Sequence, residues 1–170
     1  MLDSARFGRL PWLVLSLVIL VVDRLSKDFF EGSLNMYQRI EVIPGYFDWT
    51  LAYNTGAAFS FLADADGWQR WFFAAIAVVV SVVLVIWLKR LKSNETLLAV
   101  ALALVLGGAL GNLYDRVVLG HVVDFILVHW QSQWFFPAFN LADTAITIGA
   151  IFLALDMFKS DKKSGEKAHD

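Results

Sequence analysis

The 170-residue chain contains no cysteine. Disulfides, thiol nucleophiles, thiolate metal sites and S-acylation of the chain are thereby excluded. Histidine is nearly as scarce: His121, His129 and His169 are the only three. None stands in an HExxH or comparable ligand spacing, which argues against a zinc peptidase. No metal and no cofactor are expected. Charged residues make up 18% of the chain and the formal net charge is -2, which offers nothing to a nucleic acid. What fills the chain instead is apolar: 58% of residues are hydrophobic and the mean hydropathy is +0.60. That is too apolar for an ordinary soluble domain and indicates a multi-spanning membrane protein.

Four apolar runs are candidates for spans, at about 12–30, 71–88, 97–114 and 141–158. At ~1.5 Å per residue each crosses a hydrocarbon layer of about 27 Å. The first follows Arg6 and Arg9, with no small-x-small cleavage site behind it, and reads as an uncleaved helix rather than a removed signal peptide. Its outer end carries Asp23 and Lys27, four apart and so on one face, where they can pair. The third span ends in Gly107-Gly108-Ala109-Leu110-Gly111-Asn112-Leu113-Tyr114-Asp115-Arg116. Gly107 and Gly111 make a surface for close helix packing. Gly108, Asn112 and Asp115 recur on an adjoining face. Residues 1–158 are expected to form one domain, and 159–170 a charged, disordered cytoplasmic tail.

Two segments, 31–70 and 115–140, are too mixed to span. Residues 39–43 and 47–51 favour β structure around Pro44-Gly45 and predict a small antiparallel sheet at the membrane surface. Trp49, Trp68, Trp71, Trp130 and Trp134 suit an interfacial belt. Asn54-Thr55-Gly56-Ala57-Ala58-Phe59-Ser60 combines small residues with an amide that both donates and accepts. After Gly120 an alternating run predicts a strand carrying Asp124 among apolar neighbours. Asn140 is placed to N-cap the fourth span, which sets Asp143 at its third position. Taken singly, Asp143 also fits an acid favoured by the helix dipole, and Asp124 an exposed acid on a strand.

Positive charge decides the orientation. Arg6 and Arg9, then Lys89, Arg90 and Lys92, then Lys159, Lys162, Lys163 and Lys167 share one side if there are four spans, and that side is expected to be cytoplasmic, with both termini. Asp23, Lys27, Asn54, Asn112, Asp115, Arg116, Asp124, Asn140 and Asp143 then converge at the outer surface. Polar groups drawn from separated segments to one depth predict a site, because ionisable groups in a membrane are costly and call for partners. Two carboxylates sharing a water can hydrolyse an amide, one taking a proton from the water while the other, protonated, donates to the substrate. Like charges so close do not both ionise cheaply. The alternative is a small proton-coupled transporter using the same carboxylates as a relay. That reading predicts groups near the midplane with repeated halves, and no repeat is visible.

The motifs Asp23-x-x-x-Lys27, Asn54-x-Gly56-x-Ala58-Phe59-Ser60, Gly107-Gly108-x-x-Gly111-Asn112-x-x-Asp115-Arg116, Val123-Asp124-Phe125 and Phe139-Asn140-x-Ala142-Asp143, in this order between these spans, resemble the bacterial lipoprotein signal peptidases, or signal peptidase II, in a pseudomonad-like form. The GxGD motif of presenilin-type proteases and the GxSG motif of rhomboids are missing. The resemblance implies an α-helical integral membrane protein with four transmembrane helices, an extracytoplasmic β-sheet or cradle, and a mobile periplasmic segment. It implies an inner-membrane aspartyl endopeptidase acting on diacylglyceryl-modified prolipoproteins just before the lipidated cysteine. Asp124 and Asp143 match its catalytic aspartates. Asn54, Gly56, Phe59, Gly108, Asn112, Arg116 and Asn140 match positions around substrate and dyad, and Asp23, Lys27 and Asp115 read as structural supports. Partners are then prolipoproteins and membrane lipids, and the chain is expected to be a monomer.

Overall fold

A computed structural model describes residues 8–56 and 67–166, with side chains described as far as Phe158. A short 3-10 turn, Leu10–Trp12, leads into α1, Leu13–Ser33. Then come β1 (Arg39–Ile43), β2 (Phe47–Asn54), α2 (Trp68–Arg90), α3 (Thr96–Val118), β3 (Val122–Trp130), β4 (Trp134–Phe135) and α4 (Leu141–Glu166). Each helix outruns its expected span by at least a few residues. The interfacial turns add hydrogen bonds at little cost once the apolar middle is helical. The helical backbone of α4 continues to Glu166, so most of the expected disordered tail is an extension of that helix. Lys, which recurs there, is a good helix former.

Among the described residues, three helices are long and apolar enough to cross a membrane: Trp68–Arg90, Thr96–Val118 and Leu141–Phe158. α1 is long enough but carries Asp23, Arg24, Lys27 and Asp28 in its second half. α3 is the hub. It packs on α1, α2 and α4, α1 also touches α4, and α2 has no extended contact with either α1 or α4. Glycine permits the close approaches. A methyl on Gly111 would stand 2.6 Å from Asp23 Oδ2, one on Gly107 2.8 Å from Ser16 O, and one on Gly108 would collide with Ala142 O. The Gly107–Gly111 surface therefore faces α1, and Gly108 receives the start of α4. Gly149 of α4 does the same against α3, where a methyl would lie 2.8 Å from Ala101 O.

The strands form one antiparallel sheet in the order β1-β2-β3-β4. Pro44 and Gly45 make the first turn, closed by Tyr46 N donating to Ile43 O at 2.9 Å. Gly45 takes φ +81°, as the third residue of a type II turn requires. The expected two-stranded element is thus enlarged by the strand bearing Asp124. Phe125 anchors that strand to α1 by stacking on Phe30 at 4.4 Å, with Trp49 against the same pair. Asp124, the preceding residue, lies on the opposite face of the strand.

Candidate active site

The segment before α4 brings the site together. Phe139 forms an antiparallel bridge with Ile126, its N–H donating to Ile126 O at 3.0 Å, while Phe139 O accepts from Ile126 N at 2.9 Å and Phe125 N at 3.1 Å. Asn140 is thereby set beside Asp124. It caps α4 as its position predicts: Asp143 N donates to Asn140 Oδ1 at 2.9 Å, and Asn140 N donates back to Asp143 Oδ2 at 3.3 Å. This is a reciprocal capping box with aspartate in the place usually held by glutamate. The amide of the same asparagine donates to Asp124 Oδ1 at 2.7 Å. One fully buried residue thus contacts both carboxylates, Asp124 through its side-chain amide and Asp143 through its backbone N–H.

A second asparagine is aimed by a cation. Lys27 Nζ reaches Asn112 Oδ1 at 3.1 Å. An ammonium has no acceptor, so Asn112 must turn its carbonyl to Lys27 and its NH2 outward. That NH2 donates to Asp143 Oδ1 at 2.7 Å. Asn112 Oδ1 also accepts from Asn140 Nδ2 at 3.2 Å, so the two amides are interlocked. Lys27 is fully buried and sits 2.7 Å from Asp23 Oδ2 and 2.8 Å from Asp115 Oδ2. The four-residue spacing of Asp23 and Lys27 is therefore a real ion pair, and Asp115 completes it. Asp23 Oδ1 accepts from Ala142 N at 2.9 Å, which takes up one of the first free N–H groups of α4. Asp115 accepts from Val123 N at 3.2 Å, which fixes the start of β3. The three supports thus hold the two backbone segments that carry Asp124 and Asp143.

Arg24 is a member that the spacing motifs did not single out. It bonds Asp115 Oδ1 at 2.7 Å, Asp28 at 2.7 Å and Glu31 at 2.9 Å. The i+4 and i+7 acids on its own helix were the available signal; its bond to Asp115, 91 residues away, had none. Arg116 lies over the Phe73 ring at 5.4 Å and donates to Asn112 O at 3.2 Å, within electrostatic reach of Asp143, Asp124 and Asp115. Asn54 lies beside Asp124 and accepts from Gly56 N at 2.9 Å. Gly56 takes φ +112°, which strains any side chain, and a methyl there would stand 3.2 Å from Gln69 Cβ and 3.3 Å from the Phe73 ring. Phe59, with Ala58 and Ser60 of the same motif, lies outside the described residues.

The two carboxylates differ. Asp124 is 3% exposed, whereas Asp143 is half-buried. Burial, and then the neighbouring Asp143 charge, pushes the Asp124 carboxyl up to about 7, against the opposing effects of the Asn140 bond, Lys27 and Asn54. A carboxyl titrating near neutrality next to a more accessible one is suited to acid–base work on a shared water. Among the described residues no group of His, Asp and Glu has the arrangement of a metal site.

Comparison with known proteins agrees over nearly the whole chain. Residues 15–159 match the family model described as signal peptidase (SPase) II. A lipoprotein signal peptidase of Ectopseudomonas mendocina is 85% identical over 166 residues, 98% of each chain. One from Pseudomonas aeruginosa strain UCBPP-PA14 is 74% identical over 164 residues, 96% of each chain. A bacterial membrane enzyme solved by the in meso method at 2.3 Å is similar in fold, with TM-score 0.77 and 29% identity over 90% of both chains. Helices able to cross a bilayer, a small antiparallel sheet and these matches make this an integral bacterial membrane protein and a protease, a member of the signal peptidase II family.

Proposed function

We propose that this protein removes signal peptides from diacylglyceryl-modified prolipoproteins, cutting just before the lipidated cysteine, as an aspartyl endopeptidase whose water is activated between Asp124 and Asp143. The observation that carries this reading is the Asn140 contact with both carboxylates, since one buried residue, through its side-chain amide and its backbone N–H, holds two acids from different segments at one place. Asp143 acts as the base, its oxygens fixed by Asn112 and Asn140. Asp124 enters protonated and donates to the scissile carbonyl, then to the departing amine. Arg116 and Asn54 stand where they can meet the peptide backbone, with Gly56 beside Gln69 and Phe73, and Phe59 is assigned to the substrate from its motif alone. Gly108 and the Asp23–Lys27–Asp115 group act by positioning. The chemistry needs no metal or cofactor.

The same reading places four helices across the inner membrane, α1 among them, in a single monomeric domain over 1–158. The sheet and the dyad face the periplasm, and both termini face the cytoplasm. The pairing of each α1 charge with a partner supports α1 as a span, since a compensated charge is far less costly near an interface. Reporter fusions after residue 92 and at the C-terminus should report the cytoplasm, and one within 31–56 the periplasm; a periplasmic C-terminus rejects four spans. The decisive test of function is cleavage by purified protein of one prolipoprotein with and without its diacylglyceryl group, with and without chelator. Lipid-dependent, chelator-resistant cleavage before the cysteine is expected. Cleavage elsewhere, or equal cleavage of the unlipidated form, would reject it. A proton-coupled transporter has no support in this geometry, because the carboxylates sit where the helices meet the sheet, not midway along them.

A further inference from the structure

Far from the dyad, at the other end of the helices, a polar cavity of about 410 Å³ is lined by Gly8, Arg9, Lys89, Arg90, Lys92 and Ser93, with Leu91 at its apolar side. Its cations have no ion-pair partner among the described residues. Arg9 donates through Nη2 to Thr96, yet its Nε is buried without a hydrogen-bond partner. A buried guanidinium donor left empty is costly, so a site that leaves one open suits an anionic acceptor. Glu95, the acid nearest in sequence, accepts from the backbone N–H of Lys92 at 2.5 Å.

A second cavity of the same volume, about 410 Å³, is almost wholly apolar. It lies in the seam where α1 and α2 fail to meet, walled by Leu13, Leu17 and Leu20 on one side and Val82, Val85 and Ile86 on the other. The two cavities have no lining residue in common, and Arg9 N–H bonds Leu88 O at 3.0 Å between them, but their walls follow one another along the two helices. Lys89 continues the stripe of Val82, Val85 and Ile86 at helical spacing, and Arg9 stands one turn before Leu13. A basic pocket at the end of a membrane helix pair, followed along the same helices by an apolar seam, has the division of a phospholipid, with acidic headgroup at the interface and chain below.

We propose that the α1–α2 seam is a binding site for one anionic glycerophospholipid, its phosphate held by Arg9 and Lys89 and one acyl chain lying along Leu13–Leu20 and Val82–Ile86. The lipid would complete the packing of α2 along the seam with α1, where α2 meets the chain before α1 only at the Leu10–Trp12 turn and through Arg9 N–H on Leu88 O. The site is remote from the dyad, so the inference stands independently of the proposed mechanism.

The test is native mass spectrometry of the full-length protein released from a neutral detergent containing equal phosphatidylglycerol and phosphatidylcholine of identical chains. Expected is one retained phosphatidylglycerol, in preference to phosphatidylcholine. Arg9→Gln and Lys89→Gln should each weaken it roughly fivefold, the effect of one surface cation on an anionic lipid. Val82→Trp with Ile86→Trp, at exposed positions, should displace it by filling the seam. If Arg9→Gln does not fold, Lys89→Gln together with Lys92→Gln carries the same test from exposed side chains. Equal retention of the two lipids, or full retention by the cation variants, overturns the proposal. Protection against thermal unfolding by inorganic phosphate as strong as by phosphatidylglycerol overturns it too, by assigning the pocket to a free anion.

Discussion

The two ends of the helical bundle treat charge in opposite ways. At the sheet end, Asp23, Lys27 and Asp115 are at most 1% exposed, and each is held by a partner of opposite sign or an amide. At the other end, Lys89, Arg90 and Lys92 are exposed and unpaired among the described residues. Buried pairs are costly to break, because removing one member leaves a desolvated charge behind. Exposed cations are cheap to alter, and on the proposed topology they sum into a field that favours the cytoplasmic side. One end is built for geometry and the other for position.

The comparison is broken most severely at the dyad. Asp124→Asn and Asp143→Asn should each lower cleavage of lipidated substrate by at least about a thousandfold while the protein stays folded. The double variant should cost little more than either single one. The wild-type rate should fall as pH rises past about 7, where the Asp124 proton is lost. Appreciable turnover by either single variant, in preparations free of host enzyme, rejects the two-aspartate mechanism. Next in size is Lys27→Met, which strands Asp23 and Asp115 and should destabilise the fold by about 3–5 kcal/mol; an unchanged melting temperature would mean that the buried network is not what holds this end.

Asp124 also predicts a pH dependence of stability. Its carboxyl is raised by burial from 3.8 to about 7, so the folded state favours the protonated form. That contribution is fully present below about pH 4 and is lost as pH rises through 7, by up to a few kcal/mol. Asp124→Asn lacks the penalty: it should match wild type near pH 4 and melt higher at pH 8. Parallel melting curves at both pH values would refute the assignment. Asn112→Ala should reduce cleavage on the order of a hundredfold, as loss of one aimed donor does, with a smaller loss of stability; wild-type rates would make that amide a packing group. At the basic end, Arg90→Gln should change stability by no more than about 0.5 kcal/mol and leave cleavage unaltered. A large loss there would dissolve the contrast between the ends.

The sequence was most informative where chemistry is local. The uncharged runs mark α2, α3 and α4, alternation marks the strand of Asp124, and Asn140 three residues before Asp143 announces the cap. The Asp23–Lys27 pair is legible from its spacing alone. What was not legible depends on contacts across the chain: Asp115 as the second carboxylate on Lys27, Arg24 as a bridge between α1 and α3, and the Ala142 N–H on Asp23. Gly108 was visible as small, but not as the point where α4 touches α3. The extension of α4 to Glu166 was missed because hydropathy falls where helix propensity does not.

The fully buried Lys27 has a consequence for how the chain is made. Its acceptor Asn112 lies 85 residues later. At roughly 5–20 residues per second, a ribosome needs roughly 4–17 s to supply it. During that interval α1 can set its ammonium only against acids of its own helix, such as Asp23. The newborn helix is therefore only half-compensated at its outer end, and its final seat must wait for α3. The first helix to be synthesised thus waits for the third before its buried ammonium has all its partners.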